Sequence, residues 1–227
     1  MIQLKGRPPG GLWCLPCVMH LRTNLLFGPL AAVLLFLGIF LLGLLLPGYS
    51  GVRQTVSEIG EVGSPQRIPF AVLLCAVAIC LIIFARALLD LAKTSQDSRL
   101  PAFLVAAMGL SAAGVGIFAY PHPLHNIFGI SELIGYQAPL ALALTWRGPQ
   151  HVHVVRFSWI FYALVLLAIA ANLGSLDTHS ALWLNERPFY GLVQRGLFAV
   201  WFLWCVGVAA LLHARTHAER QSFRSQP

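Results

Sequence analysis

Charged side chains are scarce in this chain. Only 10% of the 227 residues are charged and 58% are apolar, whereas an ordinary soluble domain carries about 25% charge. This composition excludes a soluble fold. The residues between the few charges form six apolar stretches, each close to the roughly 20 residues that a helix needs to cross a bilayer. The stretches lie near 25–47, 68–92, 101–120, 127–147, 155–174 and 188–213. The sequence therefore predicts an all-α, polytopic bundle of six transmembrane helices.

Long polar linkers and internal repeats are also missing, which excludes a second folded domain. The predicted division is a cytoplasmic N-terminal tail at 1–24, a transmembrane domain at 25–213 and a cytoplasmic C-terminal tail at 214–227. The N-terminal tail is rich in Gly and Pro, has no helical pattern, and offers Met1 and Met19 as alternative starts. The first apolar stretch is too long for a signal-peptide core and is expected to remain as an anchor.

The five cysteines provide no disulfide framework. Cys14 and Cys17 form half of a zinc or redox motif whose other half is missing, and Cys75, Cys80 and Cys205 lie inside apolar stretches. Eight histidines suggest haem ligation, but none falls in the middle of a predicted helix. A membrane-buried haem is therefore disfavoured.

Basic residues are distributed unevenly between the predicted loops, and this distribution predicts orientation. One side would hold eleven of them: Lys5, Arg7, Arg22, Arg86, Lys93, Arg99, Arg147, Arg156, Arg215, Arg220 and Arg224. The other side would hold Arg53, Arg67, Arg187 and Arg195. We therefore predict that both termini are cytoplasmic. Orientation and contact with the lipid bilayer then account for the net charge of +7, and no nucleic-acid partner is needed.

Uncharged polar and ionisable residues gather on the non-cytoplasmic side. They are Arg53, Ser57, Glu58, Glu61, His122, His125, Ser131, Glu132, Asn185, Glu186, Arg187, Gln194 and Arg195. Within helix four, His125, Gly129, Glu132, Tyr136 and Pro139 recur at offsets that place them on one helical face. Because lipid disfavours ionisable groups, this face should point into the bundle or a water-filled cavity.

Glu132 and Arg195 are expected to pair inside the membrane. Each lies several residues into its helix from the same side, roughly 8 and 10 Å deep at 1.5 Å per residue. An unpaired charge at mid-membrane costs about 2.5–3.5 kcal/mol. The pair would serve either chemistry or architecture alone.

A zinc site is one interpretation of His122, His125 and Glu58, because imidazole and carboxylate ligands suit that metal. The alternative is that these histidines cap helices or meet water. Trp201 and Trp204 are typical of residues that anchor a helix at the membrane surface.

Three segments resemble a known family. They are YSGVRQTVSEIGEVGSPQ at 49–66, YPHPLHNIFG at 120–129 and GLVQRG at 191–196. They are similar to the bacterial and archaeal membrane proteins catalogued as domain of unknown function 998, over about residues 25–213. The resemblance implies a multi-pass protein of the cell membrane with six helices and no established activity. Its recurrent polar positions correspond to Ser57, His125 and Arg195, with Glu58 and Glu132 less securely matched.

Two classes of function compete, and a structural scaffold is the third alternative. A membrane-embedded hydrolase of lipid-type substrates would use Ser57, His125 and Glu132 as catalytic residues. A looser likeness to the alkaline ceramidase and adiponectin-receptor hydrolases supports only analogy, because this chain has fewer predicted helices and no mid-helix Asp.

The second class is a binding, sensing or transport protein for a lipid, another small molecule or an anion. Its candidate ligand-binding residues are Arg195, Arg53, Gln194 and Tyr136. No Gly or Pro interruption is expected at mid-span, which disfavours transport. The sequence identifies no cofactor, and zinc is the one candidate that its residues suggest.

Overall fold

The computed structural model describes residues 15–176 and 179–224. Within these ranges the chain is helical and contains no strand. The α-helices are α1 (Leu15–Leu25), α2 (Phe27–Leu44), α3 (Arg67–Ser95), α4 (Leu100–Ile117), α5 (Pro123–Gly135), α6 (Ala138–Thr145), α7 (Val152–Asn172), α8 (Ala181–Glu186) and α9 (Tyr190–Arg224). They form six segments that are long and apolar enough to span a membrane. The predicted six-helix membrane bundle is confirmed.

Two long helices hold the bundle together. α3 packs on α1, α2 and α4, whereas α9 packs on α1, α2 and α7. Gly116 lets α4 approach α3, because a Cβ there would lie 2.9 Å from the Cβ of Leu74. Trp201 and Trp204 are fully buried in the core. Their expected place at the membrane surface is therefore wrong.

Helical structure continues beyond residues 25–213 at both ends. Residues 15–24 form most of α1, whose Leu21 and Leu25 are buried. At the other end α9 continues past residue 213 to Arg224. Its 35 residues correspond to about 52 Å at 1.5 Å per residue, longer than the hydrocarbon core. Cys14 and the side chain of Cys17 lie outside what the structure describes.

The fourth spanning segment is interrupted at its centre, where Tyr136 and Gln137 separate α5 from α6. Pro139 has no N–H to donate to the carbonyl of Gly135, four residues earlier. The indole Nε1 of Trp201 donates to that carbonyl instead, at 3.0 Å. The expectation of uninterrupted helices is wrong at this position. Since an indole occupies the freed carbonyl, the interruption is a stabilised kink.

Different loops and turns lie at the two ends of the bundle. We call the end that carries the loop between α2 and α3 (residues 45–66, the first loop) and the turn at 118–122 the Ser57 end. The opposite end, with residues 96–99 and 146–151, is the Asp97 end.

Candidate functional site

The first loop is fastened to the beginning of α9 through its backbone. The guanidinium of Arg195 donates through Nη1 to the carbonyls of Gln54 and Gly191, both at 2.9 Å, and through Nη2 to the Tyr49 hydroxyl. Gly191 permits this contact, because a Cβ there would lie 2.4 Å from the Gln54 oxygen. The segment GLVQRG therefore lies in the first turns of α9 and also anchors the first loop.

The loop is also held from within. Glu58 accepts hydrogen bonds from Gln54 Nε2 at 2.7 Å and from the backbone N–H and hydroxyl of Thr55 at 2.8 and 2.9 Å. Both carboxylate oxygens are thus occupied by neighbouring loop residues. Glu58 shapes the turn in which Ser57 lies.

Tyr49 is a neutral partner for Arg195. Burial raises the pKa of the Tyr49 hydroxyl, and this effect exceeds the opposing influence of Arg195. The same hydroxyl donates to the carbonyl of Thr55 at 2.8 Å. The charge of Arg195 is therefore solvated by carbonyls and a phenol.

His125 is buried at the start of α5, with 6% of its surface exposed. Its Nδ1 lies 2.8 Å from the carbonyl of Phe118 and 3.1 Å from that of Val115. Because a carbonyl only accepts, Nδ1 carries a proton, and in the neutral ring Nε2 is then an acceptor. The C-terminal end of α4 thus fixes both the tautomer and the orientation of the ring.

The polar stripe of the fourth segment faces the interior. His125, Tyr136 and Pro139 are buried, and the opposite face is exposed at Ile127, Ile130 and Ile134. Glu132 lies on the same helix, one turn before Tyr136. The predicted inward direction of this face is confirmed.

A cavity of about 570 Å³ lies beside this stripe. Among its polar lining residues are Ser57, His125, Glu132, Tyr136, Asn172 and Gln194. Its apolar wall includes Leu74 and Leu81 of α3 and Trp201 of α9. Ile130 of α5 and Leu173, just after α7, line it while remaining largely exposed. The cavity therefore reaches the outer surface of the bundle between these two segments.

A family described as protein of unknown function (DUF998) matches residues 29–211. The chain belongs to this family. The DUF998 match includes the first loop, the polar stripe and every residue that lines the cavity. No curated protein and no solved structure matches the chain.

The structure brings together five of the residues selected from the sequence. Ser57, His125, Glu132, Tyr136 and Gln194 all line the cavity. Gln194 also accepts a hydrogen bond from the backbone N–H of Val56 at 2.8 Å, so its Oε1 is occupied.

Four other selected residues lie apart from the cavity lining: Arg53, Glu58, His122 and Arg195. Arg53 is exposed on the first loop. His122 is exposed and caps α5, its Nδ1 accepting from the backbone N–H of Leu124 at 3.1 Å. The expected metal set of His122, His125 and Glu58 is not assembled, since His122 caps α5, Glu58 is held by residues of the first loop, and the described residues contain no group of three side chains that could hold a metal ion.

The expected ion pair between Glu132 and Arg195 is also wrong. Arg195 directs donors at Gln54, Gly191 and Tyr49, and no salt bridge between Glu132 and Arg195 is found in the described part of the chain. Matched depth did not specify the directions in which these two side chains point around the bundle.

Sequence reasoning missed a buried polar group at the Asp97 end. Nε2 of His151 lies 2.7 Å from a carboxylate oxygen of Asp97, and Nδ1 lies 3.2 Å from a guanidinium nitrogen of Arg215. His151 is 1% exposed. The available signal was Asp97, one of only eight acidic residues, close to the end of a spanning helix.

Proposed function

We propose that this DUF998 protein binds an amphiphilic membrane molecule, a lipid or a lipid-linked compound, in the cavity beside α5. The observation that carries the proposal is the division of the cavity wall. Polar side chains of the first loop, α5, α7 and α9 line part of the cavity, apolar residues of α3 and α9 line other parts, and exposed Ile130 and Leu173 stand where the cavity meets the surface. The volume falls within the roughly 300–1,000 Å³ of typical ligand sites.

Filling the cavity tests this function. Gly129 lines the cavity, and a Cβ built there meets no atom within 4 Å, so Gly129→Phe should occupy the space without displacing the backbone. Gly196 is equally unobstructed but exposed and outside the cavity lining, which makes Gly196→Phe the matched control.

The measurement is mass spectrometry of the lipids retained by each purified protein. Wild type and Gly196→Phe should retain the same molecule, and Gly129→Phe should lose it. Equal retention by all three proteins would contradict binding in the cavity.

A second candidate is hydrolysis of a lipid-type substrate. The supporting observation is that the tautomer of His125 leaves Nε2 as an acceptor, as a general base requires, while Ser57 lines the same cavity. Ester-containing lipids in nanodiscs provide the test. Ser57→Ala should abolish release of fatty acid while leaving the retained lipid in place. Undiminished hydrolysis in Ser57→Ala would exclude this role.

A further inference from the structure

The charge of the cavity wall restricts the head group of its ligand. Among the described residues that line the cavity there is no Lys or Arg, and the one carboxylic acid is Glu132. We propose that the cavity accepts an amphiphile whose head is uncharged or cationic, and that it disfavours phosphate heads. This inference rests on the proposed function and specifies its ligand class.

Arg195 lies apart from the cavity lining, and three of its five N–H donors are already engaged. Anion recognition by Arg uses free N–H donors in a planar fork. Here Nη1 donates to two backbone carbonyls and Nη2 donates to Tyr49. Withdrawing these donors for a phosphate would break the hydrogen bonds between Arg195 and the first loop.

The polar side chains left at the cavity offer both acceptors and donors. The amide nitrogen of Gln194 is a donor, since its Oε1 already accepts from Val56. His125 presents Nε2, because its Nδ1–H is directed at carbonyls of α4. The amide nitrogen of Asn172 donates to two backbone carbonyls, at 2.8 and 3.4 Å, which leaves its Oδ1. Glu132 adds a carboxyl group.

A hydroxyl or ammonium head can donate to these acceptors. A phosphate at physiological pH would bring a negative charge beside Glu132 into surroundings of low dielectric constant. No Lys or Arg among the described lining residues compensates that charge. The charge of the wall therefore favours uncharged or cationic heads over phosphate heads.

Three probes of equal chain length separate these heads: hexadecanol, hexadecylamine and hexadecyl phosphate. Binding to the full-length protein is measured by native mass spectrometry in detergent. We expect the alcohol and the amine to bind at least about tenfold more tightly than the phosphate. The Gly129→Phe variant should lose binding of both.

Glu132→Gln removes the carboxylate and keeps the shape of the side chain. It should reduce the ratio of amine to phosphate affinity by about tenfold. Glu61→Gln, a change on the first loop outside the cavity lining, should leave that ratio unchanged.

The outcomes distinguish this inference from the proposed function. If Gly129→Phe blocks binding but the phosphate binds as well as the alcohol, the head-group assignment is overturned and the cavity remains a ligand site. An amine-to-phosphate ratio that is the same in wild type and Glu132→Gln also overturns it. If Gly129→Phe leaves all binding unchanged, the proposed function itself fails.

Discussion

Gly191 occupies a point of close approach between the first loop and α9. A Cβ at this position would lie 2.4 Å from the Gln54 oxygen and 2.6 Å from the Gly51 oxygen, both backbone atoms. Gly191→Ala should therefore lower the free energy of unfolding by about 1–3 kcal/mol, as overpacking does. Thermal unfolding in detergent measures the change.

Gly196, one turn further along α9, is the control for that substitution. A Cβ there meets nothing within 4 Å. Gly196→Ala should be neutral or stabilising by up to about 1 kcal/mol, because Ala restricts the unfolded backbone. Equal losses at both glycines would show that the loop contact does not limit stability.

Asp97 and Asp90 allow a comparison between a largely buried carboxylate and a more accessible one, whose side chains are 9% and 25% exposed. The side chain of Asp97 is 9% exposed beside a 1% exposed His151, whereas the Asp90 pairs lie on the surface of α3. Asp97→Ala should destabilise by about 3 kcal/mol, because it leaves buried polar groups uncompensated. Asp90→Ala should change stability by less than about 1 kcal/mol. Chemical unfolding measures the loss of stability in each variant. Similar losses for Asp97→Ala and Asp90→Ala would contradict this prediction.

At the residue scale, helical periodicity predicts which way a side chain points better than it predicts which group that side chain contacts. The spacing of His125, Glu132 and Tyr136 identified the inward face of the fourth segment, because a helix fixes angles between its own side chains. The partners of Arg195 come instead from backbone carbonyls of a folded loop. Because every residue type has a backbone carbonyl, the sequence does not indicate which carbonyls Arg195 contacts.

At the scale of elements, the kink between α5 and α6 offers a coupled pair of substitutions. Trp201→Phe should leave the Gly135 carbonyl unsatisfied and destabilise by about 1–3 kcal/mol. Pro139→Ala supplies an N–H that can serve that carbonyl. In the Pro139→Ala background the loss from Trp201→Phe should therefore shrink by about 1 kcal/mol.

Trp204 controls for the loss of a buried indole. Its Nε1 donates to the Ser158 hydroxyl and not to the kink, so Trp204→Phe should have the same effect in both backgrounds. Thermal unfolding of the variants completes the cycle. Strict additivity of Trp201→Phe with Pro139→Ala would contradict the shared carbonyl.

Hydropathy predicted the six spans because length and apolar content alone decide whether a segment can cross a bilayer. It did not predict the kink. Pro139 was visible in the sequence, but its effect depends on which donor replaces the missing N–H, and Trp201 lies far along the chain. The beginning of α1 was missed because Gly and Pro before Leu15 obscured a helix that tertiary contacts with α3 and α9 support.

For the whole molecule, the uneven distribution of basic residues predicts that the Ser57 end faces away from the cytoplasm. Single cysteines at exposed Arg53 and Gln150, in a background without the native cysteines, report on the two ends. An impermeant maleimide should label Arg53→Cys in intact cells and Gln150→Cys only after the membrane is opened. The reverse labelling pattern would invert the orientation.

The anchoring of the first loop has a consequence for biosynthesis. Tyr49 and Arg195 are 146 positions apart, so at about 5–20 residues per second the loop waits about 7–30 s for the helix that anchors it. α9 also packs against α2, the helix that leads into this loop. Insertion of the last spanning segment therefore completes the bundle and the loop in a single step. A nascent chain arrested before Gly191 would present five inserted segments with the first loop unanchored, open to quality-control proteases.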